Sequence, residues 1–317
     1  MDRFRIWRSL LFVPANSWKM LNKAATEMED GVLMDLEDAC PPAEREKGRV
    51  FARDIIPILK AKGVDVLVRV NALSTGVTTE DLRVVVREGL DGIMLPKTES
   101  KEDIIHLAEL LKREEEQKEI TGKLAILPLI ESPKGIINAY EIGAASDRVA
   151  ALGFGAGDFM RELGEGFTIT KMTADEYFPV LLHARSTIAT VACAIGIPAI
   201  DTPYFGLLID TEGLEREASS VKLLGFKGKM VTHPRQIETV NRVFSPNTGD
   251  LELSQRMVDA YKEAESQGKG AAVLDGKLID MAMYKMGMEM IARAEAIANK
   301  SRLRGQADLD FTGISER

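Results

Sequence analysis

The feature that most restricts how this chain can fold is a recurrence. Eight times in about 240 residues a short apolar, β-rich run ends in polar residues and gives way to a helix-like stretch. The runs cover residues 6–13, 31–36, 64–70, 92–95, 124–130, 148–152, 198–200 and 228–231. They are too uniformly apolar to face water on either side, which asks for a sheet covered on both faces. The helix-like stretches lie at about 17–29, 43–60, 79–88, 101–118, from Pro133, and at about 174–195 and 214–224. Eight strand-then-helix units predict an α/β fold of the (β/α)8 TIM barrel kind rather than an open doubly wound sheet. A dinucleotide-binding sheet would carry GxGxxG after its first strand. Residues 14–19 read PANSWK instead, and the later GFGAG (153–157) has neither the spacing nor a following acidic ribose ligand.

In such a barrel the chemistry lies at the C-terminal ends of the strands. The polar residues there are Glu37 and Asp38, Arg69 and Asn71, Lys97, Glu131, Asp158, Asp201 and His233. Any one could cap a helix or form a structural ion pair; a full ring of them on one rim reads as an active site. Glu131 ends the run 124–130, and Asp158 ends the glycine-rich loop after the run 148–152. Parallel strands joined by a helix bring their C-terminal ends to one edge, so the two carboxylates can converge. An all-oxygen pair suits a hard divalent cation such as Mg²⁺ that keeps room for water and substrate oxygens. The same two acids could equally cap the helices that follow them.

The 45% apolar content is ample for a large core. A formal net charge of −8, with no cluster of Lys and Arg, argues against a nucleic-acid partner. Cys40 and Cys193 belong to no CxxC or Cys/His group and are expected to be reduced structural thiols. The N-terminal apolar run is too short for a bilayer span, so no membrane partner and a cytoplasmic location are expected. Past residue 250 two further helices are predicted, 251–267 and about 277–299. The second carries Met281, Met283, Met286, Met288 and Met290, read as core or subunit-interface packing. The domains expected are a catalytic barrel over 1–245, a helical extension over 246–300 and a mobile polar tail over 301–317.

Several segments also resemble a known family: RSLLFVPA (8–15), DLEDACPPAERE (35–46), VRVN (68–71), LPK (95–97), the segments around Glu131 and Asp158, and GKMVTHPRQI (228–237). In order, over about residues 6–298, they are similar to the citrate lyase beta subunit-like family. This is the group of CoA-ester lyases that includes malyl-CoA and citramalyl-CoA lyases, within the wider HpcH/HpaI aldolase superfamily. The resemblance implies a barrel dependent on Mg²⁺, with Mn²⁺ as a substitute, in which Glu131 and Asp158 hold the metal and Arg69 binds the carboxylate of a 2-oxo acid. It also implies an aspartate on the C-terminal extension that completes a neighbouring subunit's site. GKLIDMAMYK (276–285) resembles that motif and points to Asp280, which read alone could be the N-cap of the last helix. A homo-oligomer, most simply a trimer, follows from the resemblance. HpaI-type aldolases use a histidine after an early strand; His106, His183 and His233 are the histidines here, and none lies near Glu37.

The reaction implied is reversible cleavage of a 3-hydroxyacyl-CoA into acetyl-CoA and a 2-oxo acid such as glyoxylate or pyruvate. Arg69 would clamp the carboxylate, Asp280 would move the proton at carbon, and Glu37 and Asp38 would orient metal-bound waters and Arg69. Lys97 is placed in the substrate pocket; a Schiff-base role for it would be redundant beside a metal pair. Asn71 and Asp201 are expected to support the site, and His233 to be structural. Arg8 and Lys19 are the candidates for the CoA phosphates. Two other readings are a citrate lyase beta subunit, acting on a carrier-protein thioester with oxaloacetate as product, and a non-catalytic barrel that binds CoA or a dicarboxylate.

Overall fold

The computed structural model describes residues 6–27, 29–164 and 171–312. Eight parallel strands close into a barrel in sequence order: β1 (Ser9–Pro14), β2 (Gly31–Asp35), β3 (Asp65–Arg69), β4 (Gly92–Leu95), β5 (Ala125–Ile130), β6 (Leu152–Phe154), β7 (Ala199–Asp201) and β8 (Gly228–Val231), with β8 pairing back onto β1. The helices of this unit are α1 (Trp18–Ala24), α2 (Arg45–Ala61), α3 (Thr78–Val85), α4 (Lys101–Gln117), α5 (Pro133–Ile137), α6 (Ala139–Ala144), α7 (Ala156–Glu162), α8 (Ala174–Ile195), α9 (Thr211–Leu224) and α10 (Ile237–Phe244). The expected (β/α)8 barrel is the fold observed.

Strand alternation builds two cores. Leu10, Leu33, Leu67, Met94, Leu127, Leu129, Ile200 and Met230 point inward and fill the barrel. Their neighbours Leu11, Val32, Val66, Val68, Ile93, Ile126 and Val231 point outward and pack beneath the helices. The inward series reaches the C-terminal rim at Asp35, Arg69 and Glu131, each an even number of positions beyond an inward leucine. At the opposite end, Gly228 allows the backbones to close: a Cβ there would lie 1.8 Å from the Trp7 carbonyl oxygen and 3.0 Å from that of Arg8. Because both obstacles are backbone, Gly228→Ala is expected to cost about 3 kcal/mol in urea-melt stability, the upper end of overpacking penalties.

Several boundaries differ from the sequence reading. The sixth strand was expected over 148–152 but spans Leu152–Phe154, with only Val149 making an isolated bridge to Ile126. Arg148 is held outside the barrel by Glu115, through bonds of 2.8 and 2.6 Å from its two Nη atoms, while Gly153 and Phe154 are the residues that pair with Leu129 and Ile130 of β5. The glycine-rich stretch is therefore strand end and helix start, and Asp158 lies in the first turn of α7. The helix α1 stops at Ala24, where Thr26 Oγ1 donates to the Lys23 carbonyl at 2.8 Å and closes the last turn.

Asp201 is a further correction. It follows the inward Ile200 and so points outward, between the barrel and its helices. Arg185 of α8 donates to it at 3.0 and 3.1 Å and Lys229 of β8 at 2.6 Å, while Lys229 also donates to Glu217 of α9. All four side chains are fully buried, so Asp201 has no place on the rim. Among the described helices α8 is long and apolar enough to cross a membrane by length and composition. Its inner face instead packs on α6, α9, β6 and β7 and carries Arg185 of this cluster.

Residues Ser245–Arg317 form a second compact unit: α11 (Thr248–Ser266), an antiparallel hairpin of β9 (Ala272–Leu274) and β10 (Lys277–Ile279), and α12 (Met281–Thr312). Its small core joins Met257, Tyr261 and Ile279 with Met283 and Tyr284, and the two tyrosine rings stack at 4.9 Å. The hairpin was not expected, although Asp275-Gly276 between apolar residues signals one; both residues have positive φ, 49° and 78°. The helix α12 continues through residues 301–312, and residues 313–317 lie outside the described residues. Of the methionines, Met283 packs in the core while Met281, Met286 and Met288 are exposed on this chain.

Candidate active site

The rim is organised by a carboxylate that the sequence reading does not single out. Asp35 ends β2 opposite Arg69 of β3 in strand register. It accepts from Arg69 Nε at 2.7 Å and Nη2 at 2.6 Å, and from the backbone N–H groups of Glu37 (3.0 Å) and Ala39 (2.9 Å). The guanidinium also lies over the Phe12 ring, 4.9 Å from its centroid. One edge of Arg69 is thus fixed and the Nη1 end is turned toward the rim, where it meets Glu37 at 3.1 Å and Asp38 at 3.4 Å. Burial opposes the Arg69 charge, but the hydrogen bonds and attraction from Asp35, Glu37 and Asp38 outweigh it and raise its pKa. The signal that could have found Asp35 is its parity with Leu33 combined with its position opposite Arg69.

Glu131, Lys97 and Asp158 line one cavity of about 340 Å³ together with Leu73, Pro96 and Ser132. Glu131 continues β5 and is 5% exposed, which matters because its carboxylate takes a hydrogen bond from Lys97 N–H at 2.7 Å and, among the described residues, no salt bridge. Desolvation pushes its pKa up to about 8, with the Lys97 N–H working the other way and the charges of Glu37 and Asp158 adding to the rise. The Lys97 ammonium bonds Glu37 and lies 3.6 Å from Asp158 Oδ2, and Asp158 Oδ1 accepts from Arg161 Nε at 2.9 Å. Burial raises the Glu37 pKa despite the nearby Arg69 and Lys97 charges. Burial works against the Lys97 charge, yet the Glu37 hydrogen bond together with the charges of Glu37, Asp38 and Glu131 outweighs it and lifts the Lys97 pKa. An ammonium so held is a poor nucleophile.

The residues fit a divalent cation. Glu131 is a buried carboxylate lacking a cationic partner, and it is seated over bare backbone: a Cβ on Gly155 would lie 2.5 Å from Glu131 Oε2. Among the described residues no group of three or more His, Cys, Asp or Glu forms a closed cage. A two-carboxylate site that leaves positions for water and substrate oxygens is what a hard cation in a lyase needs. Gly155→Ala, at an ordinary φ of −107°, is expected to dislodge Glu131 and cut kcat/KM at least about tenfold while the far-ultraviolet dichroism stays intact.

The remaining sequence candidates separate. Asn71 is fully buried, its amide donating to the Leu36 carbonyl (3.1 Å) and Asp81 (2.8 Å), so it braces the rim. Arg8 precedes β1 and therefore sits at the N-terminal end of the barrel, bound to Asp30 at 2.7 and 2.8 Å; the expectation that it meets CoA at the rim is corrected. Lys19 is exposed on α1 and does not line the cavity. His233 caps a short 3-10 turn, with Nδ1 accepting from Arg235 N–H at 3.1 Å, a structural role. Cys40 is buried beside Gly48, but Cys193 is exposed. In the second unit Asp280 is exposed and caps α12, its Oδ1 accepting from Met283 N–H at 3.0 Å.

Residues 8–234 match the HpcH/HpaI aldolase/citrate lyase family. The chain belongs to that family. It is 35% identical over 293 residues to the citrate lyase subunit beta of Haemophilus influenzae, covering 92% of this chain and 98% of that one. It is 29% identical over 303 residues to the mitochondrial citramalyl-CoA lyase of Homo sapiens, covering 92% and 87%. Among solved structures, CitE of Mycobacterium tuberculosis in complex with magnesium, acetoacetate and coenzyme A superposes with a TM-score of 0.73 at 29% identity, covering 92% of this chain and 99% of that one. The enzymes named above are lyases, and the chain is a carbon–carbon lyase of this family.

Proposed function

We propose that the chain is a Mg²⁺-dependent lyase that reversibly cleaves a 3-hydroxyacyl-CoA, malyl-CoA or citramalyl-CoA, into acetyl-CoA and glyoxylate or pyruvate. The observation that carries this reading is Arg69, gripped along one edge by Asp35 with its Nη1 end turned to the rim, where Glu37 and Asp38 hold it. A 2-oxo acid carboxylate that took the place of Glu37 or Asp38 at that end would accept its N–H groups, which would fix the direction of the bond to be broken. Cleavage removes the hydroxyl proton, turns the C–O bond into the carbonyl of the 2-oxo acid and leaves the electron pair of the broken C–C bond on the thioester α-carbon, where a proton completes acetyl-CoA. A cation on Glu131 and Asp158 would lower the hydroxyl pKa and polarise the emerging carbonyl. Asp280, supplied by a second copy in a homo-oligomer, is the group assigned to the proton at carbon. Its exposed carboxylate fits transfer to a partner's substrate. Glu37 and Asp38 keep Arg69 turned toward the rim.

A second reading, a citrate lyase beta subunit acting on a carrier-protein thioester, is favoured by the 35% identity to the Haemophilus influenzae subunit. One experiment separates them. The purified protein with Mg²⁺ is incubated with malyl-CoA and citramalyl-CoA, with acetyl-CoA plus glyoxylate, pyruvate or oxaloacetate, and with a citryl carrier-protein thioester, and thioesters are followed by mass spectrometry against an EDTA control. Metal-dependent turnover of a free CoA ester that is lost in Glu131→Gln supports the first reading. Turnover confined to a citryl carrier-protein thioester moves the assignment to the second, and ligand binding without any turnover makes the chain a non-catalytic binder.

A further inference from the structure

Lys97 joins a backbone peculiarity to an electrostatic one. Its φ is +50°, a left-handed conformation that an unbranched non-glycine residue adopts at a cost of about 1 kcal/mol or more. That conformation lets one residue serve three carboxylates. The N–H donates to Glu131, the ammonium bonds Glu37, and the same ammonium stands 3.6 Å from Asp158. Its side chain is 40% exposed, so it can turn without unpacking the barrel. Asp158 is thereby shared: it is one of the two carboxylates assigned to the divalent cation, and in the chain alone it faces Lys97 and Arg161.

We propose that Lys97 is a resident counter-cation that neutralises Glu37 and Asp158 in the metal-free protein and competes with the divalent ion for Asp158, keeping only Glu37 when the ion is bound. The inference rests on the assignment of Glu131 and Asp158 as metal ligands. A unit charge and a dication a few ångströms apart repel strongly at the effective dielectric of a half-buried site, so Lys97 sets the affinity of the carboxylate pair below what the pair alone would have. In exchange, it holds the empty carboxylates in place, where mutual repulsion would otherwise spread them. Lys97 is on this account a positioning residue for the metal site.

The test is isothermal titration of Mg²⁺ into wild type, Lys97→Met, Lys97→Arg, Lys97→Gly and Glu131→Gln at fixed pH and ionic strength, with the melting temperature of each metal-free protein measured alongside. Lys97→Met is expected to bind Mg²⁺ on the order of tenfold more tightly, the effect of one unit charge removed from beside a dication. Its metal-free melting temperature is expected to fall and to recover when Mg²⁺ is added, and Lys97→Arg to restore near wild-type affinity. Lys97→Gly, which suits a φ of +50°, should show the same tightening and carries the test if the methionine variant folds poorly. Equal or weaker Mg²⁺ binding in both Lys97→Met and Lys97→Gly, with binding lost in Glu131→Gln, would overturn the counter-cation role alone. Wild-type affinity in Glu131→Gln would overturn the ligand assignment, and the proposal with it.

Discussion

Replacing Arg69 with lysine is expected to lower kcat/KM by about 10–10², the loss of a hydrogen bond to a charged group worth roughly 1.5–3 kcal/mol. Lysine keeps the positive charge but not the planar fork. At this position the fork is used twice: Nε and Nη2 are fixed on Asp35 at 2.7 and 2.6 Å, and the Nη1 end reaches the carboxylates of the rim, Glu37 at 3.1 Å and Asp38 at 3.4 Å. An ammonium can follow Asp35 inward or the substrate outward, not both. The measurement is initial rates in the condensation direction with the 2-oxo acid varied, and the loss should appear largely as a higher KM for that acid. A variant that folds, by its melting temperature, and retains activity within about fivefold of wild type would sink the carboxylate clamp.

The second large effect is on stability and lies away from the rim. Asp201→Ala is expected to destabilise the barrel by about 3–5 kcal/mol, because it leaves Lys229 and Arg185 buried with Glu217 as their remaining acid. The pH dependence has a definite sign. Burial alone would raise the Asp201 pKa, but Arg185 and Lys229 outweigh it and hold it below the ordinary carboxylate value. The folded form therefore keeps its charge to lower pH than the unfolded chain, whose aspartates titrate at about 3.9. The stability Asp201 contributes is complete above that value and is lost as pH falls through the lower folded pKa. Urea melts of wild type and Asp201→Asn between pH 7 and pH 3 should differ fully at neutrality and converge at the acid end. A difference that stays constant down to pH 3 would mean the cluster is not held by charge.

Asp201 also shows where reading the chain by position alone misleads. Its place at the end of a β-strand is the same as that of Glu131, and in sequence both look like rim residues. Glu131 is two positions beyond the inward Leu129, whereas Asp201 is one beyond the inward Ile200, and this single step turns it from the site into the layer beneath the helices. Arg8 fails for a related reason. A residue just before a strand and a residue just after it are separated in space by the height of the barrel, so a basic side chain near the first strand says nothing about the rim until its end is known. Asp35 was passed over because it sits inside its strand, ahead of the more conspicuous Glu37-Asp38.

By itself the sequence determined the architecture and the inventory of acids and bases at its active end. Eight apolar runs, each followed by a helical stretch, admit few other arrangements, because strands that apolar need cover on both faces and parallel strands need crossover helices. That Glu131 and Asp158 line one cavity follows from that topology. Tertiary structure alone decided which rim residue grips which: Asp35 on Arg69, Lys97 shared among Glu37, Glu131 and Asp158, and Asp201 withdrawn into a buried ion cluster. Those choices depend on strand parity, register and the directions of side chains from elements distant in sequence. Short-range patterns carry the periodicity of each element, but the partner of a buried charge is set by what the closed barrel brings opposite to it.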